Sequence, residues 1–486
     1  MSLYPTAPLA FKLILGQIKM NSELQLPPFV YRILPWIAAF AFFMQSLDTS
    51  ILNTALPTMA NDLNESPLNM QSAVISYALT LALFIPVSGF LSDKFGTRNI
   101  FVMAVSLFTL GSLLCALSNS LIFLDISRVI QGIGGSMMVP ISRLVLIKSF
   151  KRSDFLAALN TATIPGLIGP VLGPVLGGYL VDMVSWHWVF FINLPIGILG
   201  IIISWKYMPN LKGQHMPFDL LGFIFIVVSF ISATLSVEIL NQNQTYYCPL
   251  LLATISLLFL FIYREYAKKK QTPLFPLLLF KIRTFKIGII GNLICRLGIS
   301  GVPFLIPLLL QVGFGYSAIF AGIMLMPMAI ASICTRIFIP HILARLGYRF
   351  VLVTNTILAG IMIILMSVLN LSTPLILISL LLFCIGGINS MQYTAMNSIT
   401  LANLENDNTS SGNSLMAVNQ QLAISFGTGL GAVLLRLIST TTGTIHAFQL
   451  TFVILGMITV LSSIIFAQLK KEDGRNLTNH QQEIRR

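Results

Sequence analysis

The chain has 486 residues, of which 56% are hydrophobic and 9% charged, and its formal net charge is +13. Soluble domains carry about 25% charged residues, so the composition excludes a soluble globular protein and indicates a polytopic membrane protein. The basic residues fall in short loops, which favours a role in membrane orientation over nucleic-acid binding. We expect no nucleic-acid partner, no metal site and five free cysteines, since no CxxC pair occurs.

Residues 1–34 are predicted to form a cytoplasmic N-terminal segment. Its apolar patch is too short and too mixed for a cleavable signal peptide, and Met20 is an alternative start to Met1. We therefore expect the first membrane span to serve as the uncleaved targeting signal.

Fourteen apolar runs follow, each close to the roughly 20 residues that a membrane helix needs. They are predicted near 35–56, 71–91, 99–118, 121–146, 156–181, 187–207, 218–237, 248–264, 286–311, 317–341, 350–369, 374–398, 412–437 and 447–468. An even number of spans puts both ends of the chain on one side of the membrane.

Lysine and arginine are confined to the loops on one side of this arrangement. With both termini in the cytoplasm, the inner loops and the tail hold the basic residues outside the spans, from Lys94 to Arg475, and the outer loops contain none. Arg436 alone falls at an outer helix end, where it can reach the headgroups. The positive-inside rule therefore predicts cytoplasmic N- and C-termini.

A loop sequence occurs twice along the chain. GFLSDKFGTRNIFV (89–102) follows the second span and PHILARLGYRFVLV (340–353) follows the tenth, and their alignment matches Gly96 with Gly347. Two related halves are typical of secondary transporters. We predict two six-helix bundles, at 35–207 and 286–468. Between the bundles, residues 208–285 should form two extra helices and a cytoplasmic linker, and residues 469–486 should form a cytoplasmic tail.

The first of these loops places Gly89, Asp93, Gly96 and Arg98 in a tight cytoplasmic turn. Its glycines permit a sharp reversal, and Asp93 can favour a nearby helix N-terminus. The spacing resembles the loop motif of the major facilitator superfamily, G-x-L-x-D-[RK]-x-G-[RK]-[RK], and departs from it at Thr97, where a base is usual. The resemblance implies the all-α major facilitator fold and a loop that takes part in conformational change. An ordinary positive-inside turn is the alternative.

The fifth span carries regularly spaced glycines and prolines in IPGLIGPVLGPVLGGYL (164–180). The glycines at every fourth position share one helix face that allows another helix to approach closely, and generic helix packing would explain that face. The stretch also resembles the antiporter motif G-x-x-x-G-P-x-x-G-G, which is associated with exporters. That resemblance assigns the motif to Gly169, Pro170, Gly173, Pro174, Gly177 and Gly178.

Further stretches narrow the resemblance. Arg128 and Gln131 in the fourth span resemble the family's R-x-x-Q-G pattern. LDTSILNTALP (47–57) and SWHWVFFINLPIGI (185–198) resemble signatures of the fourteen-spanner drug:proton antiporter group. RNIF, MMVP and SSGNSL are similar, more specifically, to the MdtD-like multidrug exporters of bacterial inner membranes.

Few ionisable residues are predicted deep inside the spans, where a charge is costly and usually functional: Asp48, Asp125, Arg128 and Arg296. A rise of 1.5 Å per residue puts Asp48 and Arg128 at a similar depth, roughly 12 Å from the outer face. Asp125 is three residues from Arg128 and is expected to be its local partner, with proton transfer as the second interpretation. Arg143 and Arg336 lie near inner helix ends, where they can snorkel.

Asp48 has two interpretations. It is either a permanent structural partner of Arg128 or the main carboxylate that binds and releases the coupled proton, and the resemblance to antiporters favours the second. For the polar residues of the twelfth span, hydrogen bonding between helices and substrate contact are evenly balanced. We expect the substrate cavity to be lined by Arg296, Asn389 and Gln392.

These features favour a proton-coupled antiporter that exports small organic or drug-like compounds across the inner membrane by alternating access, with the proton gradient as energy source and no cofactor. Export of an anionic metabolite or metal chelate, such as an organic acid or siderophore, is the alternative, because Arg128 and Arg296 would face a cavity with few acids. A membrane enzyme or sensor is remote, since no Walker A, HExxH or GxSxG pattern occurs. We expect a monomer whose partners are the substrate, protons and the bilayer.

Overall fold

The computed structural model describes residues 26–213, 217–242, 247–404, 406–475 and 477. Most of the predicted N-terminal segment, with the alternative start Met20, and the end of the predicted tail lie outside the described residues. Within the described part of the chain, 14 helices are long and apolar enough to cross a membrane. The predicted all-α fold and the predicted number of spans are therefore confirmed.

The membrane helices follow the predicted runs in order and extend past several of them. The first begins at Pro28, ahead of the predicted residue 35, because proline is tolerated in the first helical turn, where its missing N–H has no partner to lose. A short 3₁₀ helix, Leu277–Lys281, precedes the ninth. The helices are α1 Pro28–Asp62, α2 Gln71–Phe95, α3 Thr97–Ala116, α4 Leu121–Ser149, α5 Arg152–Met183, α6 Trp188–Tyr207, α7 Leu220–Gln242, α8 Tyr247–Lys269, α9 Arg283–Gly313, α10 Ala318–Leu346, α11 Tyr348–Val368, α12 Leu375–Leu401, α13 Asn406–Ser439 and α14 Thr444–Ala467.

Helix α9 is interrupted. Regular α-helix covers Arg283–Ile299 and Val302–Leu308, and the last turn, Leu309–Gly313, is π-helical. The break falls at Ser300-Gly301, which fits the poor helix propensity of glycine. It follows Arg296 by one turn, so α9 consists of one segment that carries this arginine and another that reaches the far end of the bundle.

The two repeated loops have the same unusual backbone. Gly96, between α2 and α3, has a φ of 92°, and Gly347, between α10 and α11, has a φ of 75°. Positive φ values in this region favour glycine over residues with a Cβ atom. The matching conformation supports the internal repeat that the sequence indicates.

The largest apolar cluster joins the two halves toward one end of the bundle. We call the face at which α1 begins and α14 ends the terminal face, and the other end the opposite face. Toward the opposite face, Leu52 and Leu56 of α1 belong to the same buried cluster as Leu305 of α9 and Ala321 of α10. Toward the terminal face, the first half has a separate cluster formed by its own helices. The halves are therefore packed together at the opposite face and apart at the terminal face.

The two extra helices, α7 and α8, form a hairpin over the seam between the halves. Buried apolar residues of this hairpin, such as Ile226, share a cluster with Ala82 of α2 and Val418 of α13. Within the hairpin, the Ser229 hydroxyl donates a hydrogen bond to the Ser256 carbonyl at 3.0 Å. The hairpin thus contacts one helix of each half.

Candidate functional site

A cavity of about 1120 Å³ lies between the halves and opens at the terminal face. Asp93, Asp219 and Ser414 line its mouth, and Asn53 and Thr428 lie at its deeper end. Its walls come from α1, α2, α4 and α5 of the first half and from α9, α10, α12 and α13 of the second. A space of this size is large enough for a drug-sized molecule.

A fully buried polar network stands behind the cavity wall in the first half. Asp48 of α1 and Arg128 of α4 form an ion pair of 2.7 Å, and each side chain is only 1% exposed. Gln131, one turn along α4, donates to the second Asp48 oxygen at 2.7 Å and accepts from Arg128 at 2.6 Å. Each member is thereby satisfied by the others, as a charge in an apolar interior requires.

Arg128 is the member of this network that reaches the cavity. It lines the cavity wall, its Nε donates to the Ala73 carbonyl at 3.1 Å, and its guanidinium lies 4.2 Å from the centre of the Tyr77 ring. Asp48 does not contribute to the cavity lining, since Arg128 and its neighbours cover it. In this conformation the carboxylate is therefore held away from the cavity.

Two members of the network were not identified from the sequence as site residues. Ser112 of α3 accepts a hydrogen bond from Gln131 at 2.8 Å, and Asn193 of α6 approaches both Asp48 and Ser112 at 3.4 Å. Both side chains are fully buried. Asn193 falls inside SWHWVFFINLPIGI, so the quoted signature contained a signal for it, whereas a single serine in an apolar span gives none.

The glycine-rich face of α5 packs against α1, the helix that carries Asp48. A Cβ atom on Gly169 would meet the Leu47 nitrogen at 2.8 Å, and one on Gly177 would meet the Ile51 carbonyl at 2.6 Å. Pro170 has no N–H to offer the Gly166 carbonyl, and the Ser46 hydroxyl of α1 donates to that carbonyl at 2.7 Å. The motif therefore builds a close α1–α5 contact.

Further along the same helix, Gly178 contacts the other half. A Cβ atom there would meet Ile319 Cα of α10 at 2.7 Å. Gly173 belongs to the α1 contact, where a Cβ atom would meet the Ile51 nitrogen at 3.0 Å. The residues assigned to the antiporter motif thus face two different neighbours.

Asp125 is not the ion-pair partner of Arg128 that the sequence led us to expect. Among the described residues, Arg128 pairs with Asp48 and no ion pair joins it to Asp125. Residues three apart share a helix face, but the guanidinium extends across to α1 and away from Asp125. One Asp125 carboxylate oxygen is buried and has no hydrogen-bond partner among the described residues.

The loop motif holds the connector between α6 and α7. Thr97, where the sequence departs from the family pattern, is fully buried, donates to the Pro209 carbonyl at 2.8 Å and accepts from the Leu211 nitrogen at 3.0 Å. A long basic side chain would not fit there. Asp93 lies 3.3 Å from Lys148 of α4, and Arg98 lies 5.3 Å from the Trp205 ring centre.

Gly89 of the same motif lines the cavity, and its Cβ position is open space. A Cβ atom on Gly96 would instead meet the side chain of Asn210 in the connector. The four motif residues therefore lie around one turn but have different neighbours. Gly89 lines the cavity, Asp93 contacts α4, Gly96 packs against the connector and Arg98 lies near α6.

In the second half, Gln392 does not line the cavity, contrary to expectation. It is fully buried, donates to the Thr356 hydroxyl at 2.6 Å and accepts from Asn355 at 2.9 Å. Both partners belong to α11, so the amide is used for contact between helices. Asn389, three residues earlier on the same helix, does line the cavity.

Arg296 lines the cavity as expected and is 9% exposed. Its guanidinium lies 4.7 Å from the Tyr393 ring centre, and the Tyr393 hydroxyl donates to Gln420 at 3.1 Å. The Arg296 Nε is buried without a hydrogen-bond partner among the described residues. This arginine therefore rests on an aromatic ring, without the carboxylate that Arg128 has.

Arg143 and Arg336 also line the cavity and are not directed only to the headgroups. Their positions near the helix ends at the terminal face place them toward the mouth of the cavity. Among the described residues, no ion pair involves Arg143, Arg296 or Arg336. The two lining acids, Asp93 and Asp219, are paired with Lys148 and Lys270. The cavity wall is consequently electropositive.

Comparison with known sequences identifies relatives over nearly the whole chain. The family model of the Major Facilitator Superfamily matches residues 38–428. The chain is 44% identical over 453 residues to the "Putative multidrug resistance protein MdtD" of Pectobacterium atrosepticum, covering 91% of this chain and 97% of that protein. The protein of the same name from Escherichia coli O6:H1 is 42% identical over 451 residues, with 91% and 95% covered.

Solved structures have the same architecture. The nucleoside transporter NupG matches with a TM-score of 0.62 at 14% identity, covering 91% of this chain and 100% of that one. A bacterial homologue of the human lysosomal transporter Spinster, solved in an inward-facing and occupied conformation, matches with a TM-score of 0.65 at 14% identity, covering 90% and 96%. At this identity the likeness concerns the fold.

Proposed function

The chain belongs to the Major Facilitator Superfamily, and from that premise we propose that it is a proton-coupled antiporter. It exports small organic or drug-like compounds across the bacterial inner membrane by alternating access. The MdtD relatives, whose printed names include multidrug resistance, support a substrate class of this kind. The observation that carries the proposal is the buried Asp48–Arg128–Gln131 network at the wall of a cavity that opens at the terminal face.

Alternating access is supported by the uneven packing of the halves. They share one apolar core toward the opposite face and enclose a cavity toward the terminal face. Rocking the halves about the central site would close the mouth and open the other end. With the terminal face in the cytoplasm, this conformation would be the one that takes up substrate.

The coupling step would take place at Asp48. In this conformation Arg128 and Gln131 donate to both Asp48 oxygens. A movement that withdraws Arg128 toward the cavity would leave the buried carboxylate without its counter-charge, and in the proposed cycle Asp48 then carries the proton. Substrate in the cavity and a proton on Asp48 would then favour different conformations, which is the requirement for exchange.

The same hydrogen bonds would also serve a permanent structural anchor, and the two roles differ in what Asp48→Asn does. In reconstituted vesicles of matched protein content, we expect Asp48→Asn to lose transport driven by a pH gradient. Because Asn leaves Arg128 buried without a counter-charge, the double variant Asp48→Asn/Arg128→Gln is the better folded test and should fail in the same way. Asp48→Glu should retain part of the activity.

Asp62→Asn is the matched control for this experiment. Its carboxylate accepts a hydrogen bond from the Trp186 indole at 2.7 Å at the opposite face, and it does not line the cavity. This variant should keep gradient-driven export. Normal gradient dependence in Asp48→Asn would mean that the proton is carried elsewhere, with Asp125 as the next candidate.

The orientation is part of the proposal, because the basic loops support cytoplasmic termini. Reporter fusions at Lys94 and Lys270 should report cytoplasm, and a fusion at Gln242 should report periplasm. A periplasmic signal at Lys270 would contradict the arrangement. The chain is proposed to work as a monomer with substrate, protons and bilayer as partners, powered by the proton gradient without a cofactor.

Export of an anionic metabolite or metal chelate is the second candidate, favoured by the unpaired arginines of the cavity wall. Charge from Arg143, Arg296 and Arg336 is not balanced by lining acids, and an anion would supply the missing counter-charge. Uptake assays in inverted vesicles with lipophilic cations, siderophores and organic acids would separate the candidates. Arg296→Ala should weaken anion transport far more than cation transport, and equal losses would indicate a structural role for this arginine.

A further inference from the structure

At the opposite face, polar side chains of one half bind the other half in three places. Gln311, in the π-helical turn of α9, donates to the Thr54 carbonyl of α1 at 3.0 Å. Arg436 of α13 donates to the Asn69 side chain, between α1 and α2, at 2.6 Å. Asp182 of α5 accepts from the Ile319 backbone nitrogen of α10 at 2.8 Å. All three contacts must break when the halves separate at this face.

The Asp182 contact has a specific physical form. Helix α10 begins at Ala318, and the first N–H groups of any helix have no partner inside the helix. The Ser317 hydroxyl accepts one of them, from Phe320 at 3.2 Å, in the usual local cap. Asp182 accepts another across the gap between the halves, and its negative charge lies at the positive end of the α10 dipole.

The packing around Asp182 brings the carboxylate into this position. Pro174, Gly178 and Asp182 follow at intervals of four on α5, so they lie on one face. A Cβ atom on Gly178 would meet Ile319 Cα at 2.7 Å, and one on Gly322 would meet the Pro174 carbonyl carbon at 2.8 Å. The absence of side chains at both glycines therefore lets the end of α5 reach the first turn of α10.

We propose that Asp182 is a latch residue, which caps α10 only while the opposite face is closed and so stabilises the conformation open at the terminal face. The latch rests on the alternating access of the proposed function and requires neither its proton coupling nor its substrate. Caps and charge–dipole contacts of this kind are worth enough for the latch to shift the ratio of the two conformations by about 3- to 10-fold.

The test is amide hydrogen–deuterium exchange of the full chain, without substrate or gradient. Asp182→Ala should raise exchange on the opposite face, in residues 311–317, and lower it at the cavity mouth, in residues 272–275 and 411–416. The protection at the mouth distinguishes a population shift from a local defect, because the mouth is at the other end of the bundle. Asp182→Asn keeps an acceptor oxygen but not the charge and should give a smaller shift of the same sign.

Ser317→Ala is the matched control, since it removes the local cap from the same helix without touching the other half. It should raise exchange only at the start of α10. If Asp182→Ala and Asp182→Asn behave like Ser317→Ala, with no protection at the mouth, the latch is overturned. Unchanged melting temperatures would establish that the variants are folded.

Gly178→Leu separates failure of the latch from failure of alternating access. Its side chain would push α5 away from α10. Like Asp182→Ala, it should raise exchange at the opposite face and lower exchange at the cavity mouth. If Gly178→Leu gives this pattern and the Asp182 variants do not, the halves rock and Asp182 is not a latch. If neither gives it, the alternating access on which both proposals depend is contradicted as well.

Discussion

Helix α4 of the first half carries Arg128 and Gln131, and helix α12 of the second half carries Asn389 and Gln392 at the same spacing. Each glutamine donates to a hydroxyl of the neighbouring helix: Ser112 at 2.8 Å and Thr356 at 2.6 Å. The two halves therefore share one hydrogen-bonded scaffold, which fits a duplicated bundle.

The charges differ between these two regions. In the first half the scaffold holds an ion pair that is 1% exposed on both sides. In the second half, the neutral Asn389 occupies the position that corresponds to Arg128. Among the described residues, Arg296 lies against the Tyr393 ring and not against a carboxylate. The glutamine amides that both halves share are therefore part of the common scaffold, and the halves differ in their charged residues. Under the proposed function, the first half would handle the proton and the second would contact the substrate.

The largest expected effect comes from breaking the charged region. Arg128→Gln leaves Asp48 buried without its counter-charge, and such a change costs about 3–5 kcal/mol. We expect a strongly lowered melting temperature and no transport. In Asp48→Asn/Arg128→Gln both charges are gone, so much of the stability should return while gradient-driven transport does not. A double variant as unstable as Arg128→Gln would contradict the assignment of the cost to the lone carboxylate.

Substitutions in the α1–α5 contact should have the next largest effect, because α5 packs against the helix that carries Asp48. Gly173→Leu or Gly177→Leu should abolish export while membrane insertion is kept, because a large side chain would push α5 from the helix that carries Asp48. Export by cells with matched membrane levels is the measurement. Gly443→Leu is the control, since a Cβ atom at Gly443 meets nothing within 4 Å. Normal transport in both α5 variants would remove the packing argument.

Sequence patterns predicted the helices and part of the charged region, for physical reasons that do not extend to the rest. Hydropathy counts spans because a bilayer imposes a length. A fixed rise per residue brought Asp48 and Arg128 to one depth. Which partner a side chain binds depends on which helix lies next to it, and composition does not determine that. The prediction therefore failed for Gln392, whose partners Asn355 and Thr356 lie on α11, and for Asp125, with which Arg128 forms no ion pair among the described residues.

The neutral region gives a smaller and differently distributed effect. Gln392→Ala removes hydrogen bonds to Asn355 and Thr356 and leaves buried groups unsatisfied, which costs about 1–3 kcal/mol. We expect lower thermal stability with similar losses for all substrates. Asn389→Ala, at the cavity wall, should leave stability nearly unchanged and alter the relative transport of different compounds. A substrate-selective defect in Gln392→Ala would mean that the glutamine helps to determine specificity. The neutral scaffold would then not be purely structural, contrary to the comparison of the two halves.

The smallest effect concerns an ion pair outside the spans, Asp219–Lys270, which contrasts with the fully buried pair because its lysine is 35% exposed. Burial alone would raise the pKa of the Asp219 carboxyl, but hydrogen bonds from Tyr266, Lys270, Leu274 and Gly222 lower it below its usual value. These bonds tie the start of α7 to the end of α8 and to the linker that follows. Asp219→Asn should therefore cost about 1–2 kcal/mol at neutral pH.

The sign of its pH dependence follows from the lowered pKa. A carboxylate whose pKa is depressed on folding contributes stability above its unfolded pKa of about 3.9, and that contribution is lost as the pH falls through the lower folded value. The difference in melting temperature between wild type and Asp219→Asn should thus be constant from neutral pH to about pH 5 and shrink below pH 4. Glu265→Gln, which removes the exposed pair with Lys268, should change the melting temperature little at any of these pH values. A difference for Asp219→Asn that grows on acidification would mean that burial outweighs the hydrogen bonds and that this carboxyl is held protonated.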